Sequence, residues 1–138
     1  MIDSIVLVEL VVTRGNILHG AFENIDHKKF FIIIGENEKH FVGFFFINSN
    51  IHQSIKNKPA QFEMQMLIKK SNYSFLNYDS FICADKIKTI NKNKIISDIV
   101  NKNTEIKGSL IEEDLETLLH VVRNSKLFSK IEKDTFFK

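Results

Sequence analysis

Between Phe30 and Ser49 two runs of aromatic and β-branched residues, FFIII at 30–34 and FVGFFFI at 41–47, flank the polar segment Gly35-Glu36-Asn37-Glu38. That pattern predicts a β-hairpin with its turn at 35–38. Both runs are apolar at nearly every position rather than at alternate ones. The hairpin is therefore expected at the centre of a small curved sheet, with both faces covered, and not at a solvated edge. Polar brackets close it, His27-Lys28-Lys29 on one side and Asn48-Ser49 on the other.

The rest of the chain reads as short strands around this hairpin. Ile5 to Val12 is apolar and reads as a strand or a short helix, β-branching favouring strand. Ile17 to Phe22 reads as a strand, with Gly20 marking a bulge or a close backbone approach. Phe62, Met64, Met66 and Ile68 alternate with Glu63, Gln65 and Leu67, which predicts a half-buried strand over Phe62 to Lys69. Tyr73 to Leu76, Asp79 to Cys83 and Lys86 to Ile90 are further strand-like runs, and Lys94 to Asn101 is a plausible helix. Ser109-Leu110-Ile111-Glu112 fits a capping box. Ile111, Leu115, Leu118, Leu119 and Val122 then form one apolar stripe of a terminal helix that must pack on the sheet. Six or seven short strands followed by a helix predict a mainly β domain with some helix, a strongly bent antiparallel sheet or barrel capped by the C-terminal helix. Residues 1–138 read as one domain, with no repeat or linker.

Composition narrows this picture only a little. The chain has 138 residues, 43% hydrophobic and 26% charged, with a formal net charge of +2. Lysines outnumber acids between Lys56 and Lys107, which suits a mildly basic face for RNA or simply a solvated one. The acidic cluster Glu112-Glu113-Asp114 is explained by the positive end of a helix dipole. The thirteen Phe are as consistent with an A/T-rich coding sequence as with function. The single Cys83 lies in the apolar run Phe81 to Ala84 and is expected to be buried and inert, with no internal disulfide. No Cys/His spacing suggests a metal, and no cofactor is implied. Ile5 to Val12 lacks a basic leader, is interrupted by Glu9 and is too short to span a bilayer. The expectation is a protein of the reducing cytoplasm with no membrane partner.

Five segments, taken in order, carry a resemblance. Arg14-Gly15-Asn16-Ile17, His27-Lys28-Lys29-Phe30 with Phe31 to Ile34, Ile47-Asn48-Ser49, Tyr78 to Ile82 with Ile87 to Ile90, and Lys107-Gly108-Ser109-Leu110 through Leu119 are similar to successive segments of the MazF/PemK family of toxins. The similarity spans roughly residues 14 to 124. It implies an SH3-like β-barrel, a homodimer, and metal-independent cleavage of single-stranded RNA, neutralised by a cognate antitoxin. Two positions depart from the family pattern. Lys28-Lys29 stands where the family has Arg-Pro, and Asn48 stands where it has the Thr of a Thr-Ser pair.

Metal-free RNA cleavage needs a base for the 2′-hydroxyl proton, a cation for the charged phosphorane and an acid for the leaving 5′-oxygen. At the positions the resemblance marks, His27 would transfer a proton and Lys28 would neutralise phosphate charge, without the fork of an arginine. Ser49 would hydrogen-bond a phosphate oxygen, and His19 on the neighbouring strand would supply a second proton-transfer group. Lys29, Asn48, Lys56 and Lys58 would extend the RNA contact. Each also has a plainer reading: 27–29 as a solvated loop, 48–50 as a strand-ending turn, and His19 as a packed strand histidine. The alternative function is a non-catalytic barrel that binds a protein or nucleic-acid partner in the same groove.

Overall fold

The computed structural model describes residues 12–138. The apolar stretch Ile5 to Val11 lies outside the described residues, and Val12 is buried. The elements are β1 (Asn16–Gly20), β2 (Lys29–Glu36), β3 (Phe41–Asn48), α1 (Gln53–Lys56), α2 (Pro59–Phe62), β4 (Gln65–Ile68), β5 (Ser80–Cys83), β6 (Lys88–Asn91), α3 (Lys92–Val100), β7 (Thr104–Ser109), α4 (Glu112–Asn124) and α5 (Lys130–Phe136). The strands form one antiparallel sheet in the order β4-β5-β3-β2-β1-β7, with β6 also paired to β3. β3 is shared along its length: Phe41 to Phe44 pair with β6, and Ile47 and Asn48 pair with β5.

The β2–β3 hairpin sits at the middle of this order, as its apolar pattern requires. Alternate side chains go to opposite faces. Ile32, Ile34, Phe45 and Ile47 enter one core cluster together with Leu118 and Val122 of α4 and with Phe136 and Phe137 at the chain's end. Phe31, Ile33, Val42 and Phe44 enter a second cluster with Ile95 of α3. The C-terminal stripe packs as its spacing demands, with Leu118 and Val122 buried and Ile111, Leu115 and Leu119 against the same cluster.

Several local expectations are corrected. The hairpin turn lies at Asn37–His40, two residues later than 35–38. Asn37 Oδ1 accepts from the backbone N–H of Lys39 and Phe41, each at 2.9 Å, and His40 takes the left-handed conformation at φ 63°. Gly35 is inside the strand, opposite Gly43. The strand expected over Phe62 to Lys69 is only β4, because Pro59 opens the helical turn α2 before it. Tyr73 to Leu76 is not a strand. Tyr73 is buried, and its hydroxyl donates to Asp114 Oδ2 at 2.6 Å and accepts from the Ile111 N–H at 3.1 Å.

Ser109 does not cap α4. It belongs to β7, and its hydroxyl donates to Asn16 Oδ1 at 2.8 Å. The capping box in this chain is Ser129–Glu132, at the start of α5. Finally, the pairing path is open, with β4 and β7 as its ends, so no ladder among the described residues closes a barrel. Helical side chains fill the first face of the sheet instead. No helix among the described residues is long and apolar enough to cross a membrane.

Candidate active site

Four strand ends meet at one margin of the sheet: the end of β1, the start of β2, the end of β3 and the start of β5. The connecting segments at that margin border a cleft of about 490 Å³. β1 contributes His19, and the loop between β1 and β2 contributes His27 and Lys28. β3 and the segment after it contribute Ile47, Asn48, Ser49 and His52, and Tyr78 and Ser80 line the far wall. The floor is apolar, built from Phe30, Ile47 and Leu76.

His19 is placed by register. It shares the face of Ile17, sits opposite Phe30 on β2 and Glu105 on β7, and its ring lies 4.3 Å from the Phe30 ring between centroids. Burial, and then the positive charges of Lys107 and Lys28, hold its pKa below the ordinary histidine value, against an opposing pull from Glu105. The neutral imidazole is therefore the form present at neutral pH. Lys107 is itself paired with Glu105 at 2.8 Å.

His27 sits on an exposed loop, with Nδ1 2.9 Å from Asp26 Oδ1. Because a carboxylate only accepts, Nδ1 carries the proton there and Nε2 is the nitrogen left for a substrate. Asp26 in turn is held below the usual carboxylate range by this hydrogen bond. Lys28 and Ser49 are exposed at the mouth. His52 was not among the residues singled out from sequence. Its Nδ1 accepts from the Ser54 N–H at 3.2 Å as the cap of α1, which leaves Nε2 as its donor in the neutral ring. Tyr78, 68% exposed, was likewise missed. Their only sequence signal was position, in the polar segments that follow β3 and precede β5.

Not every expected residue serves this cleft. Lys29 borders it, but its ammonium lies 4.5 Å over the Phe46 ring, on the other face of the sheet. Burial, and then Lys88, lower the pKa of Lys29. Asn48 also borders the cleft, yet its amide donates to Cys83 Sγ at 3.0 Å. Burial pushes the Cys83 thiol up, with the Asn48 bond opposing, as an inert cysteine requires. Lys56, in the last turn of α1, and Lys58, before Pro59, are exposed and do not line the cleft. No group of His, Cys, Asp or Glu among the described residues is arranged to hold a metal.

Arg14, the first residue of the segment that resembles the family's opening, is also directed elsewhere. It donates to the carbonyl oxygens of Ile34 and Phe136. In comparisons with known proteins, no protein-family model and no curated sequence matches this chain.

Proposed function

We propose that the chain is a MazF/PemK-like toxin whose cleft cleaves single-stranded RNA without a metal, and that its antiparallel sheet is the bent, SH3-like sheet of that family. The division of β3 between β5 and β6 supports the bend. The observation that carries the chemistry is the convergence of His19, His27, Lys28 and Ser49 on one cleft. Neutral His19 takes the 2′-hydroxyl proton, and the 2′-oxygen attacks phosphorus. Lys28 and the Ser49 hydroxyl stabilise the added negative charge on the phosphate oxygens. His27, its Nδ1–H held by Asp26, gives a proton from Nε2 to the departing 5′-oxygen. The products are a 2′,3′-cyclic phosphate and a 5′-hydroxyl. A cytoplasmic homodimer and a small cognate antitoxin belong to the same reading.

A second reading is a binding module that cuts nothing. One observation favours it: the side chains of Lys29 and Asn48, two of the three residues that depart from the family pattern, bond to Phe46 and Cys83 rather than into the cleft. Induced expression in a bacterial host separates the two. Growth arrest with fragmented RNA, relieved by Lys28→Ala, is the result expected of the nuclease. Intact RNA in both strains, with a small partner protein co-purifying, would leave the binding module.

A further inference from the structure

The face of the sheet opposite His19 carries a second recess, of about 650 Å³, between the loop after β1, β3, β6 and the start of α3. Its floor is aromatic. The Phe22 ring lies 5.0 Å from Phe46, at 82° to it, and 5.6 Å from Phe44, nearly parallel. Phe44 is buried, whereas Phe22 and Phe46 remain partly exposed. Two ammonium groups converge on Phe46, Lys29 at 4.5 Å and Lys88 at 5.7 Å from the ring centroid. Neither forms an ion pair among the described residues.

Two cations brought together repel, and here the neighbouring Lys88 helps to depress the pKa of Lys29. An anion near both would offset that repulsion. Thr89 adds a hydroxyl to the lining, Lys94 is paired with Asp98 at 3.4 Å, and Glu23 is the carboxylate at the rim.

A partly exposed aromatic floor with two lysines beside Phe46 suits a flat ring that carries a phosphate. We propose that this recess is a second subsite for single-stranded RNA, with a phosphate between Lys29 and Lys88 and a base on the Phe22–Phe46 floor. The inference rests on the RNA reading of the cleft and extends it. Lys28 and Lys29 are consecutive and both border the cleft, and the Lys29 ammonium lies over Phe46, which lines the recess. On β3, Ile47 borders the cleft and Phe46 the recess. One strand of RNA passing over this margin of the sheet would meet both sites.

The test uses the full chain, a 12-nucleotide single-stranded RNA, uridine monophosphate and a poly-glutamate peptide. Lys88→Glu is compared with Lys126→Glu, an exposed lysine beyond α4 that changes net charge equally. Lys88→Glu is expected to weaken 12-mer binding about tenfold or more and to flatten its salt dependence, while Lys126→Glu changes it less than twofold. Phe46→Leu, which keeps an apolar side chain, should weaken uridine monophosphate binding. Equal 12-mer affinity for Lys88→Glu and Lys126→Glu, with cleavage still dependent on Lys28, would overturn the subsite and leave the nuclease standing. Binding of poly-glutamate but of neither RNA nor uridine monophosphate would overturn the subsite in favour of an acidic protein partner. Binding of none of the three would overturn it outright. Uridine monophosphate binding that Phe46→Leu weakens, in a chain that cuts no RNA, would uphold the subsite and overturn the nuclease instead.

Discussion

The guanidinium of Arg14 joins the centre of the sheet to the end of the chain: Nε donates to the Ile34 carbonyl at 2.7 Å and a terminal nitrogen donates to the Phe136 carbonyl at 3.0 Å. Arg123, the other arginine in the sequence, donates to the carbonyl of Phe137. Both arginines thus secure the C-terminal end of α5. Burial and the nearby Arg123 charge lower the Arg14 pKa, yet the group stays charged across the accessible pH range. Arg14→Ala removes two hydrogen bonds from a charged donor. It is expected to cost about 2–3 kcal/mol of stability in urea unfolding, with Arg14→Lys recovering part of the loss.

Phe136 also fixes the need for glycine at two strand positions. A Cβ on Gly43 would meet the Phe136 ring at 2.6 Å, and one on Gly35 would run into the Phe136 backbone. The ring can shift, whereas the backbone, held by Arg14, has less freedom. Gly35→Ala is expected to destabilise by about 1–3 kcal/mol and by more than Gly43→Ala. Thermal melts of the two variants check the order.

Tyr73 ties the segment before β5 to the start of α4. Burial first, and then the bond to Asp114, raise its pKa, so the hydroxyl remains a donor at any working pH. Tyr73→Phe leaves the Asp114 carboxylate and the Ile111 N–H without this partner. A loss of about 1–3 kcal/mol is expected, seen as faster hydrogen exchange at the N-terminus of α4.

His19 makes a pH prediction with a definite sign. Its folded pKa is depressed by burial, Lys107 and Lys28. The unfolded chain therefore takes up the proton first as pH falls, and His19's contribution to stability, full above about 6.5, is lost below that value. The acid limb of RNA cleavage should accordingly lie below the ordinary histidine range. Lys107→Ala removes a charge that opposes the imidazolium, so both the His19 titration, followed by NMR, and that limb are expected to move to higher pH.

The hairpin was legible in sequence because FFIII and FVGFFFI are apolar on both faces, and only a central position covers both. Its turn was misplaced because Gly35 looks like a turn residue, when it is glycine to admit Phe136, about a hundred positions later. The helix at Glu112–Asn124 was readable from its stripe. Its start was misjudged because Ser109 has a competing partner in Asn16, a contact between distant residues. β7 escaped notice because its pattern TEIKGS is mostly exposed and polar, and its pairing with β1 is a matter of backbone bonds. α5 could have been found, since Ser129 and Glu132 have capping-box spacing. His19, His27, Lys28 and Ser49 border one cleft, because antiparallel order brings the end of β1, the start of β2 and the end of β3 to one margin. Which face Lys29 and Asn48 serve depends on strand parity, and parity is fixed only once the register is known.

The most direct measurement is the end chemistry of RNA incubated in EDTA with purified wild type, His19→Asn, Lys28→Ala and Ser49→Ala. Fragments bearing 2′,3′-cyclic phosphate and 5′-hydroxyl ends are expected from wild type, with rates lower by about a hundredfold or more for His19→Asn and Lys28→Ala. Intact RNA with wild type, or equal cleavage by all four proteins, would contradict an active site at this cleft.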